Sequence, residues 1–106
     1  DKLKSEGKYS VSDEIKNSID NLFYAGYTKI YSTSETIKKV YGEYNYLLDT
    51  HTAVAYSVME EFKQKDPHHK KYSLATASPY KFSKSVYESL FGENNADEFK
   101  IMELLK

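Results

Sequence analysis

A carboxylate and an imidazole lie two positions apart in the segment Asp49-Thr50-His51-Thr52. Such a pair suits acid–base chemistry, but a serine hydrolase also needs a nucleophile, and the sequence contains no G-x-S-x-G turn. Aspartate is among the preferred residues immediately before a helix, where it accepts hydrogen bonds from free backbone amides. We therefore interpret Asp49 as the N-cap of a helix and Thr52 as its reciprocal partner, and keep the acid–base pair as the weaker alternative.

The other histidines, His68 and His69, are adjacent and so cannot share one face of a helix or strand. His51 lies in a different element, and no HxxxH or carboxylate spacing accompanies any of the three. The chain has no cysteine, which also excludes thiolate metal sites and disulfides. The sequence predicts surface-loop histidines and no metal site.

Thr76 is the third candidate for chemistry. It stands at the end of a short apolar segment, residues 72–77, that predicts a β-strand, and Ser78-Pro79 after it is typical of an N-cap and first helical residue. Open α/β sheets place ligand-contacting side chains at the carboxyl end of a strand before a helix. The competing interpretation is that the Thr76 hydroxyl caps the following turn, and the residues alone leave the two about equal.

Helices account for most of the remaining pattern, because apolar residues recur at spacings of three and four. The predicted fold class is mostly α: four to five helices and one short strand. The first helix begins near Ser12 and stops at Gly26; the second follows a capping box at Ser32 to Glu35 and runs to Tyr44; the third runs from Asp49 to Phe62; the fourth spans Phe82 to Phe91; and a fifth is capped by Asn95 to Glu98. Residues 63–71 are polar and predict a surface loop.

The overall composition limits the class of protein. With 106 residues the chain predicts one domain, 1–106, in which residues 1–7 are disordered or frayed. Fifteen basic against sixteen acidic residues give a net charge of −1, which favours neither nucleic acid nor an anionic membrane. Lysines and tyrosines do alternate in places, as in surfaces that stack on single strands, but helical spacing favours tyrosines at the core and its rim. We expect a soluble, cytoplasmic protein with no nucleic-acid or membrane partner.

The single predicted strand is the unusual element. Burying its backbone groups unpaired would cost about 1 to 3 kcal/mol each, so it is either an exposed edge or part of a sheet completed by residues outside this sequence. The last helix reaches Lys106 without a C-cap signal. The missing C-cap predicts a chain that continues beyond Lys106, and the strand leaves both interpretations open.

Two stretches resemble one family. LLDTHTAVAY, residues 47–56, and LATASPYKF, residues 74–82, are similar to segments that read DPHTAV and TAHPAKF in the C-terminal part of threonine synthases. GKYSVSDE, FYAGY and Thr36-Ile37 follow the family's order, so the resemblance covers about residues 7–91. Thr50 replaces the usual proline, and Ser78 stands where many members have histidine.

The resemblance implies a fold type II pyridoxal-phosphate enzyme that converts O-phosphohomoserine and water to threonine and phosphate. It places Thr76 against the pyridine nitrogen of the cofactor, and it places the Schiff-base lysine and the phosphate-binding loop in parts of the enzyme outside this chain. The family therefore implies no catalytic residue here, and partners in the remaining domains of the same enzyme. We expect the isolated 106-residue piece to bind no pyridoxal phosphate and to be inactive.

A second hypothesis is a self-contained helical module that binds another protein through exposed apolar faces. The unpaired strand and the uncapped last helix favour the enzyme fragment over it, because a finished module would pair or blunt a strand edge.

Overall fold

The computed structural model describes all residues, 1–106, and is mostly helical. Its six α-helices are α1 (Lys2–Glu6), α2 (Asp13–Leu22), α3 (Ile30–Tyr44), α4 (Thr50–Lys65), α5 (Ser83–Phe91) and α6 (Glu98–Leu104), with a 3₁₀ turn at Pro79–Phe82 before α5. This confirms a mostly helical fold. No helix is both long enough and apolar enough to cross a membrane.

The core lies where α3 packs against α4 and α5, while α6 packs on α5. Its buried apolar side chains come from these helices and from the α3–α4 connection: Ile37, Val40, Leu48, Ala53, Val86 and Ile101. Only nine of the 106 residues are buried, so the core is small for the chain.

Residues 72–77 do not form the predicted strand. The structure has no strand anywhere along the chain, and none of the six residues makes a backbone–backbone hydrogen bond. A β-strand is defined by its pairing with a neighbour, and none of the described residues supplies one. The segment instead crosses the surface of α3 and α4, where Ser73 and Ala75 line a groove.

The start of α3 also differs from the prediction. It begins at Ile30, and its N-cap, Lys29, makes no side-chain hydrogen bond. Ser32, the proposed cap, lies inside the helix, where its carbonyl accepts a 2.8 Å hydrogen bond from the Thr36 hydroxyl. The predicted capping box is therefore wrong, because the helix begins two residues before Ser32; the neighbouring Thr33 and Thr36 hydroxyl groups donate to carbonyls one turn earlier.

The first long helix ends earlier than predicted, at Leu22 and not at Gly26. The chain after it turns onto α4, where the Tyr24 ring lies 4.8 Å from that of Phe62. Gly26 lies so close to α4 that a Cβ there would stand 2.6 Å from a methyl group of Val58. This packing with a distant helix ends α2 and requires the glycine.

Residues 1–7, predicted to be disordered or frayed, contain the short helix α1, capped by Asp1 and ended by Gly7 with a φ of 68°. None of its side chains is buried. A five-residue helix without tertiary packing is marginal in water, so its fraying in solution stays a prediction.

Candidate functional site

Thr76 lies on the surface, immediately before the 3₁₀ turn that leads into α5. The turn is capped by Ser78, whose hydroxyl accepts a 3.3 Å hydrogen bond from the Tyr80 amide. Thr76 therefore does not serve as the cap, which removes the structural role that competed with ligand contact. Its hydroxyl group is exposed to whatever lies on that side of the segment.

The segment that carries Thr76 alternates between two faces, as a strand does. Ser73 and Ala75 point into a groove of about 370 Å³ between the segment and the two long helices. Tyr72 and Leu74 are 83% and 77% exposed, on the same side as Thr76. One face thus lies over the helices and is partly covered, with Ser73 half-buried and Ala75 exposed, while the other face and the backbone edges are free to meet further structure.

The N-terminus of α4 is built on the buried carboxylate of Asp49. Asp49 accepts hydrogen bonds from the amides of His51, at 2.9 Å, and Thr52, at 3.2 Å. The Thr52 hydroxyl donates to its second oxygen. Burial by itself would raise the pKa of Asp49, but these hydrogen bonds, with His51 nearby, hold the pKa below its ordinary value. Asp49 is confirmed as the N-cap, whereas the Thr52 hydroxyl group bonds the Asp49 carboxylate and not the Asp49 amide, so the reciprocal bond of a capping box is not formed.

His51 connects the two stretches that carry the family resemblance. Its ring packs on the ring of Phe82 with centroids 4.8 Å apart, and its Nδ1 lies 3.6 Å from a carboxylate oxygen of Asp49. The Thr50 hydroxyl group lies 3.4 Å from the same nitrogen, and no hydrogen bond joins the His51 ring to a serine or to a second acid. The arrangement orients the turn before α5 against the start of α4, and so helps to position Thr76.

The histidine loop is held by an aspartate that the sequence interpretation did not single out. Asp66 lies 2.8 Å from Nδ1 of His69 and 2.8 Å from Nζ of Lys71. The hydrogen bond from Lys71, followed by that from His69, lowers the pKa of Asp66 to about 2. The signal in the sequence was the Asp-Pro pair, typical of a turn.

No group of three or more metal-ligating side chains converges here or elsewhere in the chain.

Known proteins similar to this chain agree on one family. The family model for the C-terminal part of threonine synthase matches residues 52–105, about half of the chain. The chain belongs to the threonine synthase C-terminal family.

Two relatives extend that match. Threonine synthase of Saccharomyces cerevisiae is 36% identical over 99 residues, which cover 88% of this chain and 19% of the yeast protein. A crystal structure of pyridoxal-phosphate-bound threonine synthase from Brucella melitensis aligns with 96% of the chain at a TM-score of 0.69 and 28% identity, over 22% of its own length. The chain therefore spans about a fifth of the length of these relatives.

Proposed function

We propose that this chain is the C-terminal part of a threonine synthase-like enzyme, a pyridoxal-phosphate-dependent lyase that converts O-phosphohomoserine and water to threonine and phosphate. The alignment of 96% of the chain with a pyridoxal-phosphate-bound threonine synthase carries this proposal. The remaining domains of the same polypeptide supply most of the site, and the 106-residue piece is inactive by itself. We predict that the parent enzyme is located in the cytoplasm.

Thr76 is the residue of this chain that contacts the cofactor. Bound pyridoxal phosphate acts as an electron sink for the reacting carbon. The hydroxyl group of Thr76 is neutral and exposed, and Ser78 already caps the adjacent turn, so Thr76 is free to hydrogen-bond a ring nitrogen. A hydroxyl group provides that hydrogen bond without the negative charge that would hold the nitrogen protonated.

The unpaired segment supports this role. Six consecutive residues, 72–77, have no backbone partner, and their outer face carries Thr76. If the segment adds to the edge of a sheet in the rest of the enzyme, Thr76 comes to the end of a strand within that sheet, where a cofactor can lie. Helices α3 and α4 then cover the inner face, through Ser73 and Ala75.

The test uses the intact parent enzyme, expressed from the reading frame that encodes this chain. We expect Thr76→Val to lower kcat by about tenfold, the factor that corresponds to losing one hydrogen bond of about 1.4 kcal/mol, while the melting temperature stays nearly unchanged. Thr76→Ser should retain most of the activity. Ser78→Ala is the matched control: it removes a cap, so it should lower stability more than turnover. Equal losses of turnover and stability in Thr76→Val would contradict the cofactor role.

The self-contained helical module remains the second candidate, favoured by the many exposed apolar side chains. The upstream reading frame separates the two. A preceding domain with a pyridoxal-phosphate lysine supports the enzyme, and its absence would leave the module. Mixing the isolated chain with pyridoxal phosphate should produce no absorbance of protein-bound cofactor; a stable yellow adduct at one of its lysines would contradict the proposed division of the site.

A further inference from the structure

Helix α2 has an apolar stripe that no part of the chain covers. None of its ten residues is buried. We call this stripe the α2 face. It consists of three residues on one side of the helix and one residue beyond each end: Val11, Ile15, Ile19, Leu22 and Phe23. Their side chains are between 47% and 80% exposed. The opposite side carries Asp13, Asn17 and Asp20. An amphipathic helix of this kind normally packs against another element.

Local interactions alone do not hold α2 in place. Its N-cap bond, from the Ile15 amide to the Ser12 hydroxyl, is long, at 3.4 Å, and exposed. Isolated helices shorter than about 12 to 15 residues are marginal in water, and α2 has ten. The helix therefore needs tertiary packing, which the described residues do not provide.

The shape of the chain shows how much surface is left uncovered. The accessible surface is 8671 Å², whereas a compact monomer of 12.3 kDa exposes about 6,100 Å². The radius of gyration is 17.9 Å, against about 13 Å for a compact domain of this length. An excess of this size is on the scale of the large interfaces of permanent assemblies, roughly 2,000 Å² or more.

The comparisons indicate what covers this surface. The Brucella enzyme aligns with 96% of the chain and the yeast enzyme with 88%, and both have about four fifths of their length outside the aligned part. If a second copy of the chain covered the α2 face, the part of the enzyme outside this chain would make no contact with α2. The remainder of the same polypeptide is therefore the better-supported occupant.

We propose, on the basis of the proposed function, that the α2 face docks onto the upstream domain of the same polypeptide. Asp13 and Asp20 lie on the opposite side of α2, and the α2 face is bordered by one carboxylate, Glu14, and one lysine, Lys16. The matching surface is therefore an apolar patch. Docking folds α2 as it covers it, since the helix has little stability of its own.

Amide hydrogen exchange of α2 tests this proposal. In the intact parent enzyme, the amides of residues 16–22 should exchange at least about tenfold more slowly than in the isolated 106-residue chain. Ile19→Asp in the parent should abolish that difference. Asn17→Asp places the same carboxylate on the opposite side of α2, two residues away, and should preserve it. Ile19→Ala, a milder change, should reduce the protection if Ile19→Asp prevents the parent from folding.

Two results would overturn the docking proposal. One is equal exchange of α2 in the parent and in the isolated chain. The other is concentration-dependent protection of α2 in the isolated chain together with sedimentation as a dimer, which would make a second copy the occupant. The pyridoxal-phosphate content of the parent is measured in the same samples. If α2 is protected but the cofactor is absent, the proposed function is refuted and the docking is not. If the cofactor is present but α2 is unprotected, the docking is refuted and the proposed function is not.

Discussion

Replacing Asp49 with alanine should be the most damaging single change at the start of α4. The variant loses the hydrogen bonds from the amides of His51 and Thr52 and leaves the Thr52 hydroxyl group buried without its acceptor. Loss of an N-cap costs about 1 kcal/mol, and an unsatisfied buried hydroxyl group about 1 to 3 kcal/mol. We expect the free energy of unfolding to fall by about 2 to 4 kcal/mol.

Urea unfolding followed by circular dichroism measures this change, and two variants calibrate it. Ser12→Ala removes the exposed, 3.4 Å cap of α2 and should cost about 0.5 kcal/mol or less. Asp49→Ser keeps a cap but loses the second carboxylate oxygen, so it should lie between the two. If Asp49→Ala and Ser12→Ala cost the same, burial of the cap contributes nothing and the reasoning fails.

Three further predictions concern local contacts. Thr50→Pro should raise the free energy of unfolding by about 0.4 to 1 kcal/mol, measured by thermal unfolding. The first position of α4 needs no amide donor, and Asp49 before it is extended, with a φ of −75° and a ψ of 164°. A loss of stability would show that the proline ring clashes. Gly26→Ala should lower stability by about 1 to 3 kcal/mol, since its Cβ would meet a methyl group of Val58 at 2.6 Å, and the double variant with Val58→Ala should recover part of the loss; simple additivity would argue against the clash. Because folding lowers the pKa of Asp66 from 3.8 to about 2, the ionised carboxylate stabilises the folded chain above about pH 4, and this stabilisation is lost as the pH falls toward 2. Lys71→Ala should weaken this acid dependence of the urea unfolding midpoint. An unchanged pH profile would exclude the Asp66–Lys71 pair as its source.

Helix starts were predictable wherever one cap residue and its own amides decide them. Ser12, Asp49 and Asp97 each cap the helix that follows them, and Ser78 caps the 3₁₀ turn that begins at Pro79. Capping depends on a few neighbouring atoms, so its signal is present in the residues themselves. The capping box predicted at Ser32 is wrong because α3 begins at Ile30, and hydroxyl-bearing residues such as Thr33 and Thr36 also occur inside helices, where they bond back to carbonyls one turn earlier.

The sequence predicted where Thr76 lies along the chain, immediately before a capped turn, but it did not predict which residues surround Thr76. Its place before a capped turn follows from Ser78-Pro79, and its role comes from resemblance and stays a proposal. That the Thr76 hydroxyl group takes no part in the cap, and that His51 packs on Phe82, required the folded chain. The pairing between Asp66 and Lys71 likewise depends on how the loop closes.

The sequence by itself determined the amphipathic helices, most of their caps and the family, because periodicity, capping and motif order are local properties of the chain. Only the tertiary structure decided that α2 ends at Leu22, that Gly26 lies against Val58, and that residues 72–77 are unpaired. Each of these depends on a contact, made or absent, with residues far away in the chain. A strand in particular exists only with its partner, so the same six residues predict a strand and yet form none in this chain.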